Sequence, residues 1–227
     1  MLQLITMTYA IRTVARRDYA KAVSFAMEGM HFDALIPIEP LRRAYAWWFW
    51  YDELRKATQV IAAYDGDRLL GVLLARMRAG VARPLPLGAR LAWRAMDVVV
   101  TLGNFEADYV RANRAMRADY LRDHRPDGEI LFLTADPHAG VPGIGTALLN
   151  ELACRESGKE VFLYTDSGCT WQFYERRGFV RYGERTVRTS RKGPELTCML
   201  YARVLPAIKK PSIPRRLASR LFRRHPR

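Results

Sequence analysis

Residues 129–179 place the tightest constraint on what this chain can fold into. An apolar run, EILFLTA, leads into a glycine-punctuated turn, AGVPGIGT, and then into ALLNELACRES, a helix-like segment. A second apolar run, EVFLYT, follows, and then a segment closing on FYERRGF. A strand that opens through closely spaced glycines into a helix offers bare backbone N–H groups at the positive end of that helix, which suits a phosphate or pyrophosphate. The alternation of strands and helices indicates an α/β sheet with helices on both faces.

The remaining segments fill out that sheet. The pattern predicts a short strand over 9–14 and a helix over Arg16–Met30, with Ala20, Val23 and Met27 on one side. A second helix spans about Pro40–Ala57 and carries Trp47, Trp48, Phe49, Trp50 and Tyr51 in succession. Being apolar all round that turn, it has to be covered on more than one side; its aromatics serve core packing or, alternatively, wall an acceptor site. QVIAAY and RLLGVLLARM flank Asp65-Gly66-Asp67, a hairpin signal. Pro84, Pro86 and Gly88 precede ARLAWRAMDVVVTL, which reads as a helix or a buried strand. A helix then runs from Asn104 and stops before Pro126. The order closes with strand 129–135, helix 143–157, strand 160–165, helix 168–177 and strands 179–188 and 195–204. Gly158 and Gly178 fall where a helix C-terminus takes positive φ. The expected layout is one domain over 1–205, with an additional helical segment at about 82–125, and a tail over 206–227.

At 227 residues and 49% hydrophobic content the chain can bury a sizeable core, which excludes a disordered protein. The net charge of +14 is uneven: Lys209, Lys210, Arg215, Arg216, Arg220, Arg223, Arg224 and Arg227 sit in a tail with no acid, leaving +6 elsewhere (14 − 8). Such a tail is either a solvated chain end or a contact for a polyanion, whether nucleic acid, ribosome or anionic lipid. Ile213, Leu217, Leu221 and Phe222 would line one side of a short basic helix, which keeps a membrane surface open as a partner. No specific nucleic-acid site is predicted. Cys154, Cys169 and Cys198 are odd in number and form no CxxC pair, so no disulfide framework or zinc site is expected. No leader pattern opens the sequence and no apolar stretch reaches the roughly 18 residues of a membrane span, so the expected setting is the cytoplasm.

Three glycine motifs compete for AGVPGIGTALL. A phosphate-binding P-loop finds Gly140, Gly145 and Thr146 in place but lacks the lysine between Gly145 and Thr146, which argues against nucleotide triphosphate hydrolysis. A dinucleotide fingerprint beginning at Gly143 and Gly145 meets Leu148 where a third Gly or Ala belongs. The third accounts for more residues. Ala135-Asp136-Pro137, then Gly140 to Gly145, then an apolar helix, resembles the coenzyme A pyrophosphate loop of the GNAT superfamily of N-acetyltransferases, V-x-P-x-x-R/Q-x-x-G-x-G/A. Pro137, Gly143 and Gly145 match, while Ala135 replaces the Val and Gly140 the Arg or Gln. Downstream, the family's N-x-x-A-x-x-L/F-Y-x-x-x-G-F is met by Ser167, Thr170, Phe173, Tyr174, Gly178 and Phe179.

The resemblance implies a GNAT-like mixed, mostly antiparallel sheet with helices on both faces, and an enzyme moving acetyl from acetyl-CoA directly to a primary amine. It assigns cofactor contacts to Leu133, Thr134, Ala135, Gly140, Val141, Gly143, Ile144, Gly145 and Thr146, with Ser167 beside the pantetheine arm. It gives Tyr174 the role of general acid, since a phenol with an ordinary pKa of about 10 keeps its proton at neutral pH. A strand bulge near Leu133–Ala135 would free an amide for the thioester carbonyl. Glu129, Glu28, His31 and Asp33 remain candidate bases, whereas Asp136 and His138 are expected to shape the turn. Cys154 and Cys169 lack His and acid partners and no histidines share ligand spacing, so neither thiol catalysis nor a catalytic metal is expected. The acceptor is a small-molecule or peptide amine, and the chain a monomer or homodimer. The alternative is an acyl-CoA-binding module without turnover that reaches nucleic acid, ribosome or membrane through its tail.

Overall fold

The hairpin signal builds the centre of the sheet in the computed structural model of the protein, which describes residues 9–30, 32–82, 84–103, 107–188 and 195–207. Strands β2 (Gln59–Asp65) and β3 (Arg68–Met77) pair antiparallel around the Asp65–Arg68 turn. Joined by β1 (Ala10–Arg12), β4 (Gly128–Ala135), β5 (Glu160–Asp166), β6 (Val180–Arg188) and β7 (Glu195–Val204), they form a seven-stranded sheet ordered β1-β2-β3-β4-β5-β7-β6. Every neighbouring pair is antiparallel except β4 and β5. The mixed, mostly antiparallel α/β sheet inferred from the sequence is the observed one.

Alternation along the strands sends side chains to two faces, and each face is covered. Helices α1 (Tyr19–Gly29), α2 (Phe32–Leu35) and α3 (Glu39–Lys56) pack over Ala62, Tyr64, Val72, Leu74 and Phe132. The opposite residues, Ile61, Leu73, Ile130 and Leu163, meet α6 (Ile144–Arg155) through Ile144, Leu148 and Leu152. On the first face, α5 (Ala107–Asp123) sets Met116 and Tyr120 against Phe162, Leu200 and Ala202.

The ambiguous apolar stretch after Pro86 is a helix, α4 (Leu87–Gly103), laid on the outside of α3. That second layer explains the aromatic run: Trp50 is fully buried against Tyr19 and Phe132, while Trp48 on another side donates Nε1–H to Asp97 of α4. The helix expected over 168–177 shrinks to α7 (Gln172–Glu175). Asp166 closes a turn by accepting the Gly168 N–H at 2.9 Å, and the bonds Phe173 N–H to Thr170 O and Tyr174 N–H to Trp171 O span only three residues, so the segment is tight turns around one helical turn. Gly158 and Gly178 do take positive φ.

Candidate active site

The parallel pair supplies the site by failing to stay paired. β4 and β5 bond only through Gly128–Ile130 and Val161–Leu163. In β4 the partners step from Ile130↔Ala75 to Phe132↔Leu74, so Leu131 is an inserted residue that bends the strand away from β5. The bulge expected at Leu133–Ala135 therefore lies earlier, at Leu131; Leu133, Thr134 and Ala135 keep regular partners on β3. The Asp136 N–H bonds Leu70 O at 2.8 Å, and the alternation of an antiparallel ladder then turns the backbone groups of Thr134 toward β3 and those of Leu133 and Ala135 into the gap.

The gap is a cavity of about 560 Å³ reached from both faces of the sheet. Pro137, Gly145, Phe173 and Tyr174 line it on the α6 side; Glu28, Gly29, Met30 and Tyr109 line it on the other. Of the residues assigned to a cofactor, Leu133, Thr134, Ala135 and Gly145 lie in its wall.

The turn after β4 is held by Asp136, whose buried carboxylate accepts the His138 N–H at 2.9 Å and faces Arg68 at 3.2 Å and Lys21 at 4.0 Å. Burial pushes that carboxyl up, but the His138 N–H and the two cations outweigh it and leave its pKa below the ordinary value. Asp136 thus shapes the loop, while His138 Nε2 sits 2.9 Å from Glu28 Oε1.

Gly140 (φ 68°) and Gly143 (φ 84°) both take left-handed backbone, and Gly143 opens α6 with no side-chain cap. The first-turn N–H groups of Ile144, Gly145 and Thr146 therefore have no intrahelical partner. Ile144 itself is core, and Val141 packs beside it. Gly145 is required by close approach: a Cβ there would lie 2.9 Å from Phe173 Cζ. Because Arg177 stacks on that ring at 3.7 Å, Gly145→Ala is expected to cost roughly 1–3 kcal/mol, measured as a lower melting temperature; an unchanged melt would refute the clash. Thr146 is engaged from the same side, its Oγ1 accepting Arg177 Nε–H at 2.9 Å.

Tyr174 reaches the cavity from α7, wedged among Phe173, Phe179 and Tyr201 at ring separations of 5.2, 5.7 and 6.3 Å. Burial raises its phenol well above the ordinary value, so it holds its proton through the neutral range. Across the gap stand three residues that sequence reasoning did not assign to the site. Asp166 ends β5 and lines the cavity; Tyr109 Oη–H points at its Oδ2 across 3.5 Å; Cys169 sits beside both. Burial and then the Asp166 charge push the Cys169 thiol up to about 12, which leaves it a thiol at neutral pH.

Other candidates lie elsewhere. Glu129 starts β4 outside the cavity wall, paired with Arg76 at 2.6 Å. The Ser167 hydroxyl accepts the Thr197 N–H of β7 at 3.1 Å and does not line the gap. Asp33 is exposed on α2, Cys154 is exposed on α6, and His31 and the tail from 208 onward lie outside the described residues. Among the described residues no cluster of three or more His, Cys, Asp or Glu side chains has metal-binding geometry.

This order and pairing of strands and helices is the fold of solved GNAT acetyltransferases, and this chain has that fold. No family model matches the sequence, and none of the curated proteins does. Solved structures do. A protein described as histone acetyltransferase HPA2 and related acetyltransferase, from Corynebacterium glutamicum, superposes with a TM-score of 0.51 at 17% identity over 90% of this chain and 99% of its own. A putative phosphinothricin N-acetyltransferase gives 0.51 at 14% identity over 87% and 99%. NAA60 of Arabidopsis thaliana, solved with a bisubstrate analogue, gives 0.50 at 15% identity over 87% and 98%.

Proposed function

We propose that this protein is an N-acetyltransferase that moves the acetyl group of acetyl-CoA directly to a primary amine. The observation that carries the reading is the cavity that joins the uncapped start of α6 to the half-buried Tyr174. The residues present fit coenzyme A: unpartnered amides at Ile144, Gly145 and Thr146 accept a pyrophosphate, and backbone groups of Leu133 and Ala135 suit the amides of an extended pantetheine arm. Bound there, acetyl-CoA supplies the activated thioester.

The chain's own groups then divide the proton traffic. The Leu133 or Ala135 N–H polarises the carbonyl oxygen. Asp166, at the opposite mouth, accepts a proton from the attacking amine, and Tyr174 donates one to sulfur as the C–S bond breaks and the C–N bond forms. Tyr109 holds the Asp166 carboxylate in place. The acceptor enters between Glu28 and Asp166, whose charges favour an ammonium-bearing molecule, in a cytoplasmic setting and as a monomer or homodimer.

The test is thiol release from acetyl-CoA over a panel of polyamine, aminoglycoside, amino acid and free-N-terminus peptide. Turnover with at least one amine, reduced about a hundredfold by Asp166→Asn, is expected. One observation favours a second reading, a binding module without turnover: the Ser167 hydroxyl is already engaged by β7. Acetyl-CoA binding without thiol release would select it, and no binding would reject both.

A further inference from the structure

Helix α4 is apolar on two opposite sides, and only one of them is used. Its inner side meets α3: Trp93 donates to Asp52 at 3.1 Å, Asp97 accepts from Trp48 at 3.2 Å, and Met96 and Val100 join the core. Its outer side carries Leu87, Leu91 and Val98 at helical spacing, 62%, 58% and 58% exposed, with Val99 at 47% beside them. Large apolar side chains exposed together at helical spacing are the kind of patch that marks a contact.

Charge says what the contact is. Arg90 and Arg94 edge the stripe, exposed and with no acidic partner among the described residues, while the helix's one acid, Asp97, is turned inward. A second copy of this chain would bring the same arginines against them, and a nucleic acid would leave the leucines unused. An anionic lipid surface satisfies both, since apolar side chains enter the acyl boundary while guanidinium groups meet phosphates.

Topology adds an independent observation. Met77, Gly128, Val161 and Arg203 align across the sheet, so the chain leaves toward α4 and reaches Ala207 at the same sheet end. The cavity opens toward the other end, between β4 and β5 from Ile130 and Leu163 to Ala135 and Asp166. From Ala207 the sequence continues for 20 residues that hold eight Lys and Arg and no acid.

We propose that α4 docks on an anionic membrane surface, with Leu87, Leu91 and Val98 entering the headgroup boundary and Arg90 and Arg94 contacting lipid phosphate. The eight basic residues after Ala207 would add electrostatic attraction to the same anionic lipid, and the cavity stays open to the aqueous phase.

The experiment is co-sedimentation of the full-length protein with phosphatidylcholine vesicles, with and without phosphatidylglycerol. Binding to the anionic vesicles is expected, with little to the neutral ones. Leu91→Asp with Val98→Asp should lower the bound fraction at least about tenfold at an unchanged melting temperature, because both side chains are solvent-exposed. Arg90→Glu with Arg94→Glu should weaken binding in the same direction. Four results would overturn the proposal: no binding to anionic vesicles, undiminished binding by the Leu91/Val98 variant, a lipid-free dimer that this variant splits, or polyuridylate binding that it abolishes.

Discussion

If the proposed mechanism holds, Tyr174→Phe is expected to lower turnover by about a hundredfold or more while leaving acetyl-CoA affinity unchanged. The substitution removes one hydroxyl and keeps the ring that packs against Phe173, Phe179 and Tyr201, so the fold and the adjacent start of α6 are undisturbed. Only the proton donor is lost. The pH profile supplies a second readout. A general acid acts in its protonated form, and burial raises this phenol above its ordinary value, so its proton is not lost until pH has passed well beyond about 10. Wild-type activity should accordingly show no alkaline decline due to Tyr174 in the neutral to mildly alkaline range. Unchanged turnover in stopped or continuous thiol-release assays would remove Tyr174 from the mechanism and leave the phenol as core packing.

What could be read from the sequence divides along local and non-local lines. The hairpin at Asp65–Gly66, the two-sided burial of the Trp47–Tyr51 run and the glycine turn onto α6 all depend on residues a few positions apart, and all are in the structure. The splay of β4 from β5 depends on a bulge at Leu131 that is defined only by pairing with β3, 55–60 residues earlier, and composition gives no sign of it. Asp166 and Tyr109 were missed for the same reason. They are 57 positions apart, one in what reads locally as a turn residue and the other on a helix inserted between strands. Arg177 stands within FYERRGF, but its link to Thr146 crosses 31 positions. Ser167 and Glu129 show the converse: their residue types suited a role, and the fold gave their polar atoms to Thr197 and Arg76 instead.

Glu129 also belongs to a charge cluster with a measurable consequence of its own. Glu53 on α3 is largely but not fully buried, binds Lys56 Nζ at 3.0 Å through Oε1, and leaves Oε2 buried with no hydrogen-bond partner among the described residues. Burial pushes its pKa up to about 7; Lys56 opposes this, and the negative charges of Asp52 and Glu129 reinforce it. The sign of the stability effect follows. Between the unfolded value near 4.5 and about 7 the unfolded chain has released this proton and the folded chain retains it, so stability falls as pH rises across that window and levels off above it. The shift corresponds to on the order of 3 kcal/mol lost by pH 8 relative to pH 4.5. Glu53→Gln keeps the shape and removes the charge, and Lys56 retains Asp52 at 2.5 Å, so its ammonium is not stranded. The variant should therefore be more stable than wild type at pH 8, by up to about 3 kcal/mol, with the difference shrinking toward pH 5. Urea denaturation at a series of pH values reads this directly: converging curves toward acid support the buried proton, and parallel curves would show that Glu53 is ionised in the folded protein at every pH tested.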